Sequence, residues 1–317
     1  MKEDVSRRDL LALMGLGGVV FASGIGLVAC GGAEAQAGPP RVASGVAPGP
    51  APGGVGVGAT KADDFFFLQL SDTHWGFKGP PNPEADTCLK KTVAAINLVE
   101  AQPDFIVFTG DLTHTTDDAA ERRRRMAEFK EIASGLKVKK VYFLPGEHDA
   151  APDQGAAYKE AFGPLYQAFD HKGVYFIALD NASAPGGALG DAQLEWLKAE
   201  VAKVPVASPL VVLAHRPLFD LYPEWEWTTK DGARVIELIS ARDATVFYGH
   251  IHQENHKVTG RVSHHSARSL IFPLPAPGSV PKRAPLAWDP AAKDHGLGYR
   301  AINIENAHAR VTEKPLA

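Results

Sequence analysis

The sequence predicts an α/β fold in which stacked β-sheets carry helices on their outer faces. Three observations lead there. Short apolar runs rich in aromatic and β-branched residues alternate with helix-length segments; after Gly249 strand-like runs follow one another without helices; and polar residues gather at strand ends. The composition of the 317-residue chain, 45% hydrophobic and 22% charged, suits a globular protein with a sizeable core.

The runs "FFFLQL" (65–70), "FIVFT" (105–109), "VYFL" (141–144), "VYFIAL" (174–179), "LVVLA" (210–214) and "TVFY" (245–248) are too short for helices and read as buried strands. Helices are expected between them, at 85–100, 117–134, 154–162, 191–202 and 229–240. The second carries "ERRRR" (121–125), which reads as a solvated helix face. Further strands are expected near 256–262, 267–272, 298–304 and 308–312, interrupted by the Pro-rich "FPLPAPGSVPKRAP".

Residues 1–30 have the layout of an export signal, with Arg7 and Arg8 before a Gly-rich apolar run; a membrane anchor is the competing reading, since the run is just long enough to span a bilayer. "SRRDLL" resembles a twin-arginine signal, and "LVAC" resembles a lipobox that would anchor the chain to a membrane by a lipid on Cys30. Cleavage after "AQA" (35–37) would instead release the protein. Residues 31–62, rich in Gly, Pro and Ala, read as a flexible linker, and 63–317 as the folded domain. An exported, periplasmic or extracytoplasmic location follows. Cys30 and Cys88 are the only cysteines, so no disulfide framework is expected, and Cys88 should pack inside a helix. A formal net charge of -4 offers no global attraction to a nucleic-acid polymer or an anionic membrane.

The chemistry is concentrated at five strand ends. "LQLSDTHWG" releases Asp72 and His74, "VFTGDLTH" Asp111, "FLPGEHD" Glu147, His148 and Asp149, "VLAHRP" His215, and "FYGHIHQ" His250 and His252. Carboxyl ends of strands are where open α/β sheets place ligand sites. Asp72/His74 and His250/His252 are spaced i,i+2, which in extended chain points both side chains to one side. One such Asp commonly caps a helix and one such His is commonly satisfied locally, but five coincidences favour a metal centre.

Carboxylates and imidazoles without thiolate suit Zn, Mn or Fe and argue against Cu(I) or an Fe–S cluster. Six or seven ligands exceed the needs of one tetrahedral ion, which implies two ions about 3.5–4 Å apart sharing a carboxylate. Such a pair clamps a phosphoryl group and supplies hydroxide for in-line attack, so phosphate ester hydrolysis is the natural reaction.

The motif order, with "SDTH", "TGDLT", "PGEHD" and "GHIHQ", resembles the calcineurin-like metallophosphoesterase superfamily over residues 65–313, and most closely its cyclic-nucleotide phosphodiesterase-like branch. The resemblance implies a four-layer αββα sandwich of two mixed β-sheets flanked by helices. It implies that Asp72, His74 and His252 hold one metal, that Asp111 bridges, and that His215 and His250 hold a second. His148 would contact phosphate and protonate the leaving oxygen, with Asp149 as its acidic orienting partner. The family's remaining ligand is an Asn, and here that position is Glu147.

A ligating Glu147 would make three carboxylates, hold the metals more tightly, favour a harder or mixed-valence pair containing iron, and place an anion beside the phosphate. The expected function is hydrolysis of a small-molecule phosphate mono- or diester; the alternative is a metal-binding or redox-linked extracytoplasmic protein with little hydrolase activity. His114 could line the substrate mouth or be a plain loop residue. Packing is expected of His264, His265, Trp75, Trp225 and Trp227, and the pocket is expected between the 217–229 loop and the 273–296 segment.

Overall fold

The computed structural model describes residues 63–305 and 308–316. The expected export signal, Cys30 and the linker lie outside the described residues. In chain order the elements are β1 (Phe65–Leu70), α1 (Ala85–Leu98), β2 (Phe105–Phe108), α2 (Ala119–Ser134), β3 (Val141–Phe143), α3 (Glu147–Ala150), α4 (Ala156–Phe162), β4 (Gln167–His171), β5 (Val174–Ala178), α5 (Asp191–Lys203), β6 (Leu210–Leu213), α6 (Gly232–Ile239), β7 (Ala244–Tyr248), β8 (Asn255–Thr259), β9 (Val262–Ser266), β10 (Gly298–Glu305) and β11 (His308–Pro315).

One sheet has the order β11-β10-β1-β2-β3 and the other β4-β5-β6-β7-β9-β8. Strands β1, β2 and β3 are parallel, as are β5, β6, β7 and β9, whereas β10, β11, β4 and β8 join antiparallel, so both sheets are mixed. The period-two alternation of each strand assigns its two faces. On β1 Leu68 and Leu70 pack outward against Leu89, Val93 and Ile96 of α1 and Met126 and Phe129 of α2. Phe65 and Phe67 point the other way, into a layer with Phe105, Phe176 and Phe247 from both sheets. There Phe67 stacks on Phe105 at 4.7 Å between ring centroids. The second sheet turns Ile177, Val212 and Val246 outward onto α5 and α6 through Leu194, Leu197, Val235 and Ile239. The result is the expected αββα sandwich. Because every central strand is covered on both faces, its sequence reads as a continuous apolar run.

Some expectations fail locally. Residues 267–272 form no strand; their apolar side chains are buried, but the Leu270 amide donates to the carbonyls of Ser71 and Asp72 and the Ser269 hydroxyl to that of Asp72. The segment therefore braces the loop after β1. Strand β4 carries no apolar signature in the sequence because "QAFDH" is a short, polar edge strand. The arginine run is only half solvated: Arg122 is buried and pairs with Asp153 at 2.8 Å, and Arg125 donates to the His114 carbonyl at 2.9 Å, fastening α2 to the loop after β2. Cys88 is buried in α1, as expected. No helix among the described residues is long and apolar enough to cross a membrane.

Candidate metal centre

The carboxyl ends of β1, β2, β3, β6 and β7 meet at one edge of the sandwich and bring seven side chains together in two adjoining groups, Asp72/His74/His252 and Asp111/Glu147/His215/His250, while a third group, His74/His114/His148, shares His74 with the first. The convergence is not achieved by extended backbone. Asp72, His74, Asp111, His250 and His252 have φ of 54°, 40°, 50°, 67° and 54°, and they are five of the eight non-glycine described residues with positive φ. The i,i+2 pairs thus turn through left-handed conformations beyond the strand ends, at about 1–2 kcal/mol per residue. Strain gathered at one place points to a function there.

Close approach also explains two glycines. A Cβ on Gly146 would lie 2.0 Å from Asp111 Oδ1, and one on Gly249 would lie 1.9 Å from Ser71 Oγ. Any side chain at either position would push a ligand-bearing loop out of place.

In the first group His74 Nε2 and His252 Nε2 are 3.2 Å apart, and His252 Nε2 is 3.3 Å from Asp72 Oδ1. In the second, Glu147 Oε2 lies 2.8 Å from His215 Nε2 and Glu147 Oε1 lies 2.9 Å from His250 Nδ1. Asp111 joins them: Oδ2 is 3.4 Å from His74 Nε2 and Oδ1 is 3.5 Å from His215 Nε2. One carboxylate presents an oxygen to each group.

The imidazoles are oriented from behind. His215 Nδ1 donates to the Thr109 carbonyl at 2.7 Å, His252 Nδ1 to that of Phe272 at 2.7 Å, and His250 Nε2 to that of Glu226 at 3.2 Å. A carbonyl only accepts, so each outer nitrogen carries the proton and the inner one is left to face the cluster. His74 is backed by a side chain instead, with its Nδ1 3.4 Å from His114 Nδ1. Glu147 Oε2, His215 Nε2 and His250 Nδ1 are buried without a hydrogen-bond partner, the condition expected of atoms that converge on a cation. The donor set therefore fits divalent metal ions.

Electrostatics agree. Burial disfavours charge on Glu147, yet His250 and His215 outweigh it and hold the carboxyl well below its usual range. Burial likewise opposes charge on His215, but Asp111 and Glu147 hold it well above its ordinary value. His74 lies well below its ordinary value through burial and the neighbouring His148. His250, by contrast, lies below its ordinary value because burial outweighs the neighbouring Glu147.

His148 is half-buried at the open side, its ring edge-on to His74 at 4.5 Å and beside His114 at 4.9 Å. The Thr115 amide donates to His148 Nδ1 at 3.1 Å, which leaves the neutral ring's proton on Nε2. Asp149 does not stand behind His148 as its orienting partner. Its buried carboxylate accepts from the amides of Leu112, Thr113 and Gly146 and from the Thr113 hydroxyl, at 2.8 to 3.0 Å. Burial and Asp111 push it up to about 7. It clamps the loop that carries Asp111 to the loop that carries Glu147.

His114 does join the site. His264 and His265 do not: His264 packs on Phe219, and His265 pairs with His256 across β8 and β9. Trp225 and Trp227 are core residues of the neighbouring cluster, while Trp75 donates to Glu128 of α2. Of the two expected pocket segments, the 217–229 loop reaches the site through the Glu226 carbonyl, and the 273–296 segment begins just after Phe272, whose carbonyl orients His252. A cavity of about 630 Å³ beside His252 is lined by Pro273, Lys293 and His295 among others. The orienting carbonyls leave no mark in a sequence. Arg216, whose Nε is 3.7 Å from Glu147 Oε2, could have been noticed as a cation adjoining a ligand histidine.

Comparison with known proteins gives the same picture. The family model described as calcineurin-like phosphoesterase matches residues 67–254, which include every candidate ligand. A probable cyclic nucleotide phosphodiesterase of Rhodococcus erythropolis is 30% identical over 206 residues, 59% of this chain and 64% of that protein. The chain therefore matches less than two thirds of that relative's length. The 3',5'-cyclic adenosine monophosphate phosphodiesterase of Escherichia coli is 30% identical over 196 residues, 59% of this chain and 69% of that protein. A dimetal phosphatase from Danio rerio shares the fold, with a TM-score of 0.50 at 12% identity over 80% of this chain and 99% of that one.

Proposed function

The chain belongs to the calcineurin-like phosphoesterase family, and from that premise we propose that it is a phosphoesterase using two metal ions to hydrolyse a small phosphate mono- or diester. The observation that carries this reading is the Asp111 carboxylate, placed between two groups of buried ligands with one oxygen towards each. Asp72, His74 and His252 would hold one ion, Glu147, His215 and His250 the other, with Asp111 shared. Such ions, when bound, neutralise phosphoryl charge and make water nucleophilic at neutral pH. Mn, Fe and Zn all suit the donors, and a mixed-valence iron pair is accommodated by the extra carboxylate.

The protein's own groups supply the rest. Carbonyls of Thr109, Glu226 and Phe272 fix the imidazoles, so a phosphoryl group meets a preorganised cluster. His148, with its proton on Nε2 at the open side, donates that proton to the leaving oxygen. Asp149 holds the Asp111 and Glu147 loops in register.

The two relatives named for cyclic nucleotides make such diesters the first substrates to examine. We further propose that residues 1–30 direct export by the twin-arginine route, with Cys30 as a lipid anchor, residues 31–62 as tether and 63–317 as the catalytic domain. The alternative of a metal-binding protein with little turnover draws its support from the negative charge of Glu147. The test is hydrolysis of aryl phosphate mono- and diesters by protein loaded with Mn, Fe or Zn. Turnover that Asp111→Asn abolishes is expected, and no turnover with any of the three overturns the reading.

A further inference from the structure

Glu147 brings a full negative charge to a place where the family motif carries a neutral amide, and a buried cation stands beside that charge. Among the described residues the one Lys or Arg within 4.0 Å of it is Arg216, whose Nε stands 3.7 Å from Glu147 Oε2. Arg216 is buried, and neither Arg216 Nε nor Glu147 Oε2 has a hydrogen-bond partner. Glu147 Oε2 also faces His215 Nε2 at 2.8 Å, so Arg216 adds a permanent positive charge beside a carboxylate that otherwise meets only imidazoles.

The guanidinium is held in a built socket. Its Nη1 donates to the Glu226 carbonyl at 3.3 Å, the carbonyl that also orients His250. The Asn181 side chain clamps the backbone: its Oδ1 accepts from the amides of His215 and Arg216 at 3.0 and 3.1 Å, and its Nδ2 donates to the Arg216 carbonyl at 2.9 Å. Gly187 supplies the last wall; a Cβ there would come within 2.8 Å of Arg216 Cδ and 3.2 Å of Nε. The charge is thus placed by the Glu226 carbonyl, the Asn181 clamp and the Gly187 wall.

We infer that Arg216 is a positioning residue, the counter-charge that lets a glutamate serve where a neutral ligand would otherwise stand. With Arg216 beside it, Glu147 adds an oxygen donor without adding net negative charge, so an anionic phosphate ester meets the charge of a two-carboxylate centre. A buried ion pair behaves as a unit: removing one member leaves an uncompensated charge, whereas removing both costs little. This inference rests on the metal-dependent phosphoesterase reading.

The test is a double-mutant cycle on the full chain with Arg216→Gln, Glu147→Gln and the double variant, plus Arg216→Lys. Calorimetric titration of Mn²⁺ into metal-depleted protein and the KM and kcat for an aryl phosphate diester are the readouts. Arg216→Gln should tighten the second Mn²⁺ step and raise KM, each by about tenfold, with a smaller change in kcat. The same substitution in the Glu147→Gln background should move neither, and Arg216→Lys should retain wild-type values. Equal effects in both backgrounds, or a Lys variant no better than Gln, overturn the inference. Should Arg216→Gln alone fail to fold, a folded double variant that binds two Mn²⁺ supports the pairing, and a double variant that also fails overturns it. Wild-type protein that binds no Mn²⁺ would instead remove the metal reading itself.

Discussion

The two halves of the centre are built differently. Asp72, His74 and His252 form a group with one carboxylate, in which imidazoles face each other at 3.2 Å and His74 leans on another side chain, His114. Glu147, His215 and His250 form a group in which a carboxylate lies between two imidazoles at 2.8 and 2.9 Å, backbone carbonyls do all the orienting, and Arg216 stands behind. The first half is adjustable at a side chain. The second is oriented by backbone with a cation beside its carboxylate, and it contains the residue at which this chain departs from the family pattern.

The largest effect should come from the residue both halves share. Asp111→Asn removes a charge from each group at once, and turnover of an aryl phosphate diester should fall by at least about 10³-fold, several kcal/mol of barrier. A smaller loss would show that the halves work independently. Next come substitutions confined to one half. His252→Ala and His250→Ala should each leave one metal equivalent by elemental analysis; loss of both from either variant would erase the distinction between the halves.

The orienting contacts should matter less, and unequally. His114→Ala takes away the partner of His74 Nδ1, and metal affinity of the first half should weaken by about 10–100-fold while the second half titrates as in wild type. The smallest change is expected from Glu147→Asn, which supplies the neutral family ligand and leaves the Arg216 charge free to attract an anionic ester. Metal should be retained, and diester turnover should rise by a few-fold. Loss of metal without gained turnover would mark Glu147 as an essential ligand.

Much of this was legible in the sequence because the sandwich buries both faces of its central strands. "FIVFT" and "LVVLA" can be little else, and the polar residues after them stand out for that reason. What stayed hidden was whatever backbone performs. The run 267–272 has a strand's composition, yet its amides brace the Asp72 loop. The i,i+2 spacing of Asp72 and His74 correctly grouped the pair for a reason the structure does not support: left-handed turns, not a pleat, bring them together. The place of Asp149 in the motif makes it a partner of His148, yet its four donors come from the adjoining loops and Gly146. Arg216 carries no motif at all. Its role is visible only once its guanidinium is found beside Glu147.

The most direct measurement is diester hydrolysis by the same preparation before and after metal removal and after reloading with Mn, Fe or Zn. The account predicts turnover that disappears with the metal and returns with at least one of the three ions. Fully metal-loaded protein that hydrolyses neither mono- nor diester would contradict it and leave a metal-binding protein on a phosphoesterase fold.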